Sequence, residues 1–237
     1  MDSDVDSAIQ DKAFKIVTAT TISGGSDTVT GALVTFVLAM TMFPKTQAAA
    51  HAEIDRVVGR ERVPEIEDRE LLPYVTALFY EVTRWHPSGP IGLPHRLTTD
   101  DEYHGYHIPA GAVVIANIWA MLHDENVFPE PDKFMPERFL GADGALSSSA
   151  PRPDALWGFG RRICPGRHFA TDFLWIAMVH ILAVFRIEPA VGSDGQRDEP
   201  KARFSPHHIS APEPFRCEFK PRFPGAENMV NSVDTAD

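Results

Sequence analysis

The sequence predicts a mainly α-helical fold carrying small β-sheets, from three observations. Residues 7–42 have helical composition and contain no proline. Two further helix-like stretches are bounded by Pro44, Pro73 and Pro87. Residues 92–117, by contrast, fall into short alternating runs separated by glycines, the texture of small strands and tight turns.

The first helix ends at Phe43-Pro44, because proline lacks an amide proton and its ring clashes with the preceding turn. About 36 residues at 1.5 Å each make a helix on the order of 54 Å, enough to cross a large domain. A second helix runs over 44–58, with Pro44 suited to the first turn and Gly59 as its stop. Residues 60–72 are polar and read as a loop. A third helix follows Pro73 and ends at Trp85-His86-Pro87, since the residue before a proline disfavours helical geometry. Tyr103-His104-Gly105-Tyr106-His107 reads as a hairpin, with residues 113–116 as its continuation. Residues 126–155, rich in Pro, Asp, Glu and Ser, form an irregular meander. A last long helix begins at Pro165 and runs to about Val184. Residues 204–223 suggest short strands between prolines, and the tail 225–237 is expected to be disordered. No internal repeat is visible.

At 237 residues and 43% hydrophobic content the chain has the size of one large domain with a real core. Its formal charge of -11 argues against nucleic acid, whose binding is driven by basic groups, and favours a small neutral or lipophilic partner. Only Cys164 and Cys217 occur, which excludes a disulfide scaffold or a four-cysteine metal site built from this chain. The start, Met-Asp-Ser-Asp, lacks the basic and apolar regions of a signal peptide. The apolar runs 31–43 and 173–185 fall short of the roughly 18 to 20 residues of a bilayer span and read as buried helices. Their near-unbroken apolarity, with the chain opening almost directly into one of them, leads to the expectation of a fragment whose cover is missing.

The most specific string is Trp157-Gly158-Phe159-Gly160-Arg161-Arg162-Ile163-Cys164-Pro165-Gly166. It sets a cysteine just before a helix, where the free N–H groups of Gly166 and Arg167 are expected to point at the sulfur and favour the thiolate. The glycines let backbone approach a flat ligand closely. A phosphate loop is excluded: Gly158-Phe159-Gly160 lacks a third glycine and no Gly-Lys-Ser/Thr follows. Taken alone, a cysteine before a helix is commonly just a small buried residue; the ten-residue string is more specific.

A second string, Gly24-Gly25-Ser26-Asp27-Thr28, lies in the middle of the first helix. Two adjacent glycines cost roughly 1 kcal/mol each there relative to alanine. Thr28 can donate to the Gly24 carbonyl, loosening the ladder and opening a groove, and Asp27 offers a carboxyl able to relay protons. The plainer reading of the pentapeptide is a kink that eases packing. Third, Glu81 and Arg84 share a helix face; exposed, such a pair is worth only about 0.2–0.5 kcal/mol. Fourth, the segment 134–139 offers Arg138 to complete a charge network with them. His207-His208 and the pair His104/His107 meet no cysteine at zinc spacing, and Cys217, His168 and His180 read as structural.

These four strings, in this order, resemble the cytochrome P450 family of haem-thiolate monooxygenases, of the fungal-like microsomal type. The resemblance covers residues 7–223 and matches the C-terminal half of such an enzyme, so residues 1–237 are expected to be a partial domain of that fold. That portion contains the long central helix, the charge-network helix, the cysteine-ligand loop and the helix after it. It implies that Cys164 is the axial ligand of iron in haem b (iron protoporphyrin IX), that Arg162 and Arg96 bind its propionates, and that Gly158, Phe159 and Gly166 line it. Glu81, Arg84 and Arg138 match the structural charge network, and Asp27 and Thr28 the acid and alcohol that steer protons to dioxygen. Trp157 stands where phenylalanine is usual, Gly24 where alanine is usual, and Val29 where Thr or Ser is common.

The resemblance also implies a small apolar substrate bounded by 20–25, 90–93 and 207–209. Electrons would come from NADPH through a separate flavoprotein reductase. A full-length member would sit on the cytosolic face of the endoplasmic reticulum through an N-terminal segment. Two alternatives stay open at this point: a truncated, non-catalytic haem-binding fragment, and a haem-thiolate isomerase or dehydratase.

Overall fold

A computed structural model describes the backbone of residues 2–231 and the side chains of 9–229. The first helix, α1, covers Asp2–Met42 in 41 residues, longer than the sequence suggests and unbroken at Gly24-Gly25. Helix α2 (Pro44–Val57) and helix α3 (Pro73–Trp85) each begin on the expected proline. Between them the polar segment is not wholly loop: a helical turn over Ile66–Leu71 is closed by a capping box of Glu65 and Asp68. Arg62 locks it with two bonds to Asp68, 2.6 and 2.7 Å long.

Four short strands follow: β1 (His95–Arg96), β2 (Asp101–Tyr103), β3 (Tyr106–Ile108) and β4 (Val113–Val114). Strands β2 and β3 form the hairpin, its turn at His104 and Gly105, both with positive φ. Strand β4 does not continue that hairpin, as its sequence suggests; it turns back and pairs with β1, Arg96 opposite Val113. Helix α4 (Ile118–Leu122) leads into the meander, which holds a helical turn at Pro136–Phe139. Helix α5 covers Arg167–Val184, starting two residues after Pro165 with Gly166 at its N-cap. It runs into β5 (Phe185–Pro189), whose antiparallel partner is β6 (Cys217–Pro221). Apart from β6, the stretch 204–223 forms only an isolated bridge between Phe204 and Pro212. Residues Ala226–Asn231 form a short helix, α6, with Ala226 buried, in place of the disorder expected there; the remainder of that tail lies outside the described residues.

The core lies where the C-terminal half of α1 meets α3 and α5: Phe36, Met40, Leu78, Val82, Trp175, Met178 and Leu182 are all buried. Burying each such side chain contributes about 1.5–3 kcal/mol. Polar side chains fix how the helices sit. Leu72 supplies no cap for α3, so Glu53 of α2 accepts the Tyr74 and Val75 N–H groups at 3.1 and 3.0 Å. Gln47 exchanges two bonds with Ile187, acting as a one-residue strand beside β5, and also donates to Met40. Arg222 donates to the Leu182 and Ala183 carbonyls at the end of α5. Trp175 Nε1 donates to Thr76 Oγ1, pinning α5 to α3.

Two helices, Ile9–Met42 and Arg167–Val184, are long and apolar enough to cross a membrane by length and composition. Within them Phe36, Leu38, Met40, Trp175 and Leu182 belong to the core, while Ile9, Phe14, Val17 and Ile22 are exposed.

Candidate functional site

The cysteine string folds as a tight loop in front of α5. Gly158 and Gly160 both take positive φ, 76° and 58°, which residues with a Cβ adopt at a cost. A Cβ on Gly160 would meet nothing within 4 Å, so the loop's outer side is open, and Phe159 between the two glycines is 47% exposed. The Cys164 N–H donates to the Trp157 carbonyl at 2.7 Å, closing the loop behind the thiol. Cys164 is a free, half-buried cysteine. One expectation is corrected. The Arg167 N–H does not address the sulfur; it donates to the Cys164 carbonyl at 3.4 Å, because the turn at Pro165-Gly166 delays the helix by two residues. Gly166 remains close to the thiol, a Cβ there lying 3.9 Å from Sγ.

Arg162 is exposed in this loop, and Arg96 is exposed on β1, its guanidinium 3.6 Å from where a Cβ on Gly111 would stand. Among the described residues neither has a hydrogen-bonded or ion-paired partner. Both cations are therefore available to an anion from outside the chain.

On α1, Thr28 Oγ1 donates to the Gly24 carbonyl at 2.9 Å, as its spacing predicts. A Cβ on Gly24 or Gly25 would meet nothing within 4 Å, so packing inside this chain does not require glycine at either position. Asp27 beside Thr28 is exposed. The same turn of α1 is held from the other side by Ser88, whose hydroxyl donates to the Thr28 carbonyl at 2.9 Å. Sequence reasoning missed Ser88, and no spacing signal links it to a residue sixty positions away.

Glu81, Arg84 and Arg138 come together in the interior, with Glu81 and Arg84 fully buried. Arg84 grips Glu81 through two bonds of 2.7 and 2.9 Å, and Arg138 Nε reaches the same carboxylate at 3.1 Å. Met135 N–H donates to it as well. The remaining arginine donors go to backbone carbonyls: Arg84 to Leu122 and Pro131, Arg138 to Pro129 and Glu130. Two cations facing one carboxylate are thus balanced by a ring of carbonyl dipoles, and the meander is stitched to α3.

The chain matches the cytochrome P450 family over residues 1–215. It is 44% identical over 226 residues to a cytochrome P450 monooxygenase of Armillaria gallica, covering 95% of this chain and 44% of that protein. It is 42% identical over 237 residues to cytochrome P450 monooxygenase 98 of Postia placenta, covering 99% of this chain and 46% of that one. With the monooxygenase claR of Ampulloclitocybe clavipes it shares 44% identity over 210 residues, 89% and 39% of the two lengths. The chain therefore spans less than half the length of these curated relatives.

Proposed function

Since this chain belongs to the cytochrome P450 family, we propose that it forms the haem-ligand portion of a haem-thiolate monooxygenase, in which Cys164 would ligate the iron. The observation that carries this reading is the Cys164 loop: a free thiol in a loop closed by a backbone bond from Cys164 to Trp157 and containing two positive-φ glycines, with open space at Gly160. A soft thiolate donor suits iron, and the unpartnered Arg96 and Arg162 suit a ligand that carries two carboxylates, so the residues fit haem b. When bound, haem supplies the redox chemistry, a thiolate ligand donating electron density that favours O–O cleavage.

The chain's own residues then have separate tasks. Arg162 and Arg96 would hold the propionates by charge-assisted hydrogen bonds, and Gly158, Phe159 and Gly166 would line the group. Thr28 and Asp27 hold and pass protons where Gly24 and Gly25 leave α1 bare. Glu81, Arg84 and Arg138 act on structure alone. The substrate is a small apolar molecule, in keeping with Pro90, Ile91 and Leu93, the latter two exposed. Electrons come from NADPH through a flavoprotein reductase, and the enzyme works on the cytosolic face of the endoplasmic reticulum membrane.

The test is turnover of the haem-loaded protein under labelled dioxygen, with a flavoprotein reductase, NADPH and a panel of apolar substrates. One labelled oxygen atom in the product, with NADPH consumed, is expected. Product formed without label or NADPH consumption would overturn the monooxygenase assignment in favour of isomerase or dehydratase chemistry.

A further inference from the structure

Two separate segments meet at one glycine of α1, Gly31. A Cβ on Gly31 would lie 3.1 Å from Ser88 Oγ and 3.4 Å from the Ser210 carbonyl oxygen, close enough to push these neighbours back by a few tenths of an ångström. Ser88 bonds in both directions across that junction. Its hydroxyl donates to the Thr28 carbonyl at 2.9 Å, and its own carbonyl accepts the Ser210 N–H at 2.8 Å. Ser210 is buried and is fixed in turn: its hydroxyl donates to the Ser205 carbonyl at 2.7 Å and pairs with His86 Nε2 at 2.9 Å. A hydroxyl has one proton, already committed to Ser205, so His86 Nε2 is the donor and the imidazole is the neutral Nε2–H tautomer. Burial holds His86 neutral, lowering its pKa to about 4. Its ring stacks on Phe204, centroids 3.5 Å apart and planes 13° from parallel. The loop 204–211 is thereby anchored to the end of α3, and Ser88 hands that anchor to α1.

We propose that Ser88 is a positioning residue: through its paired bonds to Thr28 and Ser210 it makes the Thr28 turn of α1 and the loop 205–210 move as one body. The Thr28 turn, whose hydroxyl donates to the Gly24 carbonyl, is then placed together with the neighbouring residues 207–209. This rests on the proton-delivery reading of Thr28 given above. The bond does not depend on a ligand, because it is made between groups of the chain itself.

The test compares haem-loaded wild-type protein with Ser88→Ala, which removes the hydroxyl, and Gly31→Ala, which displaces it. Two readouts are used: amide hydrogen exchange, and peroxide released per NADPH consumed. Exchange is expected to rise about fivefold in peptides covering 24–32 and 205–211 in both variants, the loss of one hydrogen bond, with α5 unchanged. Peroxide release is expected to rise in Ser88→Ala toward the level of Thr28→Ala, and Ser88→Thr, which keeps the hydroxyl, to restore both readouts. Unchanged exchange in either segment overturns the proposal. So does raised exchange without extra peroxide when Thr28→Ala does release it. If Thr28→Ala releases no extra peroxide, the proton-delivery reading fails instead, and coupled exchange of the two segments decides the clasp alone. Should Ser88→Ala not fold, Gly31→Ala and Ser88→Thr carry the same comparison.

Discussion

Glu81 shows how far burial changes the meaning of a residue. On a helix surface its i, i+3 pairing with Arg84 would contribute a few tenths of a kcal/mol. Fully buried, it is, among the described residues, the carboxylate shared by two guanidinium groups, and its loss leaves both charges without that counterion. Glu81→Ala is therefore expected to destabilise the protein by about 3–5 kcal/mol, read as a lower urea midpoint at constant slope; a change below about 1 kcal/mol would contradict this. Arg84→Lys should fare little better, because an ammonium cannot make two bonds to Glu81 and also reach Leu122 and Pro131. The shared face of Glu81 and Arg84 was legible from their spacing. That the face turns inward was not, since it depends on the meander carrying Arg138 back across α3. Ser88, and the reach of Ser210 to His86 and Ser88, were invisible for the same reason: these partners are close in space and distant in sequence.

At the scale of elements, proline marks the boundaries well. Pro44, Pro73 and Pro87 delimit α1, α2 and α3 because the missing amide proton and fixed φ act locally. The pairing of β5 with β6 and of β1 with β4 was not legible, since neither pair is joined by a tight turn whose residues would announce it. The packing of α2 on β5 carries a pH dependence. His51 Nε2 lies 3.2 Å from the Phe185 carbonyl, and burial, then the nearby Arg222, lower its pKa from 6.5 to about 4. His86 at the end of α3 is lowered likewise. Between those values the unfolded chain binds protons that the folded one refuses, so these histidines stabilise the fold above pH 6.5 and that contribution is lost as pH falls toward 4. Glu53, raised by burial, works in the opposite sense, so the histidine part is read by difference. The urea midpoint of His51→Gln should fall less than that of wild type between pH 7 and pH 5. Parallel pH profiles would count against the assignment.

For the molecule as a whole, three groups of residues converge on one reading. The core of α1, α3 and α5 fixes the frame, the charge network holds the meander to it, and the Cys164 loop opens outward in front of α5. Apolar side chains remain exposed around this frame, among them Phe14 at 70%, Leu93 at 72% and Phe169 at 73%. The central claim is that Cys164 supplies a thiolate to haem iron. It is tested most directly by loading the purified protein with haem, reducing it, adding carbon monoxide and recording the Soret band. A red-shifted thiolate-type band in wild type that disappears in Cys164→Ala, while Cys217→Ala keeps it, is the predicted result. A wild type that takes up haem without that band, or a Cys164→Ala variant that retains it, would contradict the account.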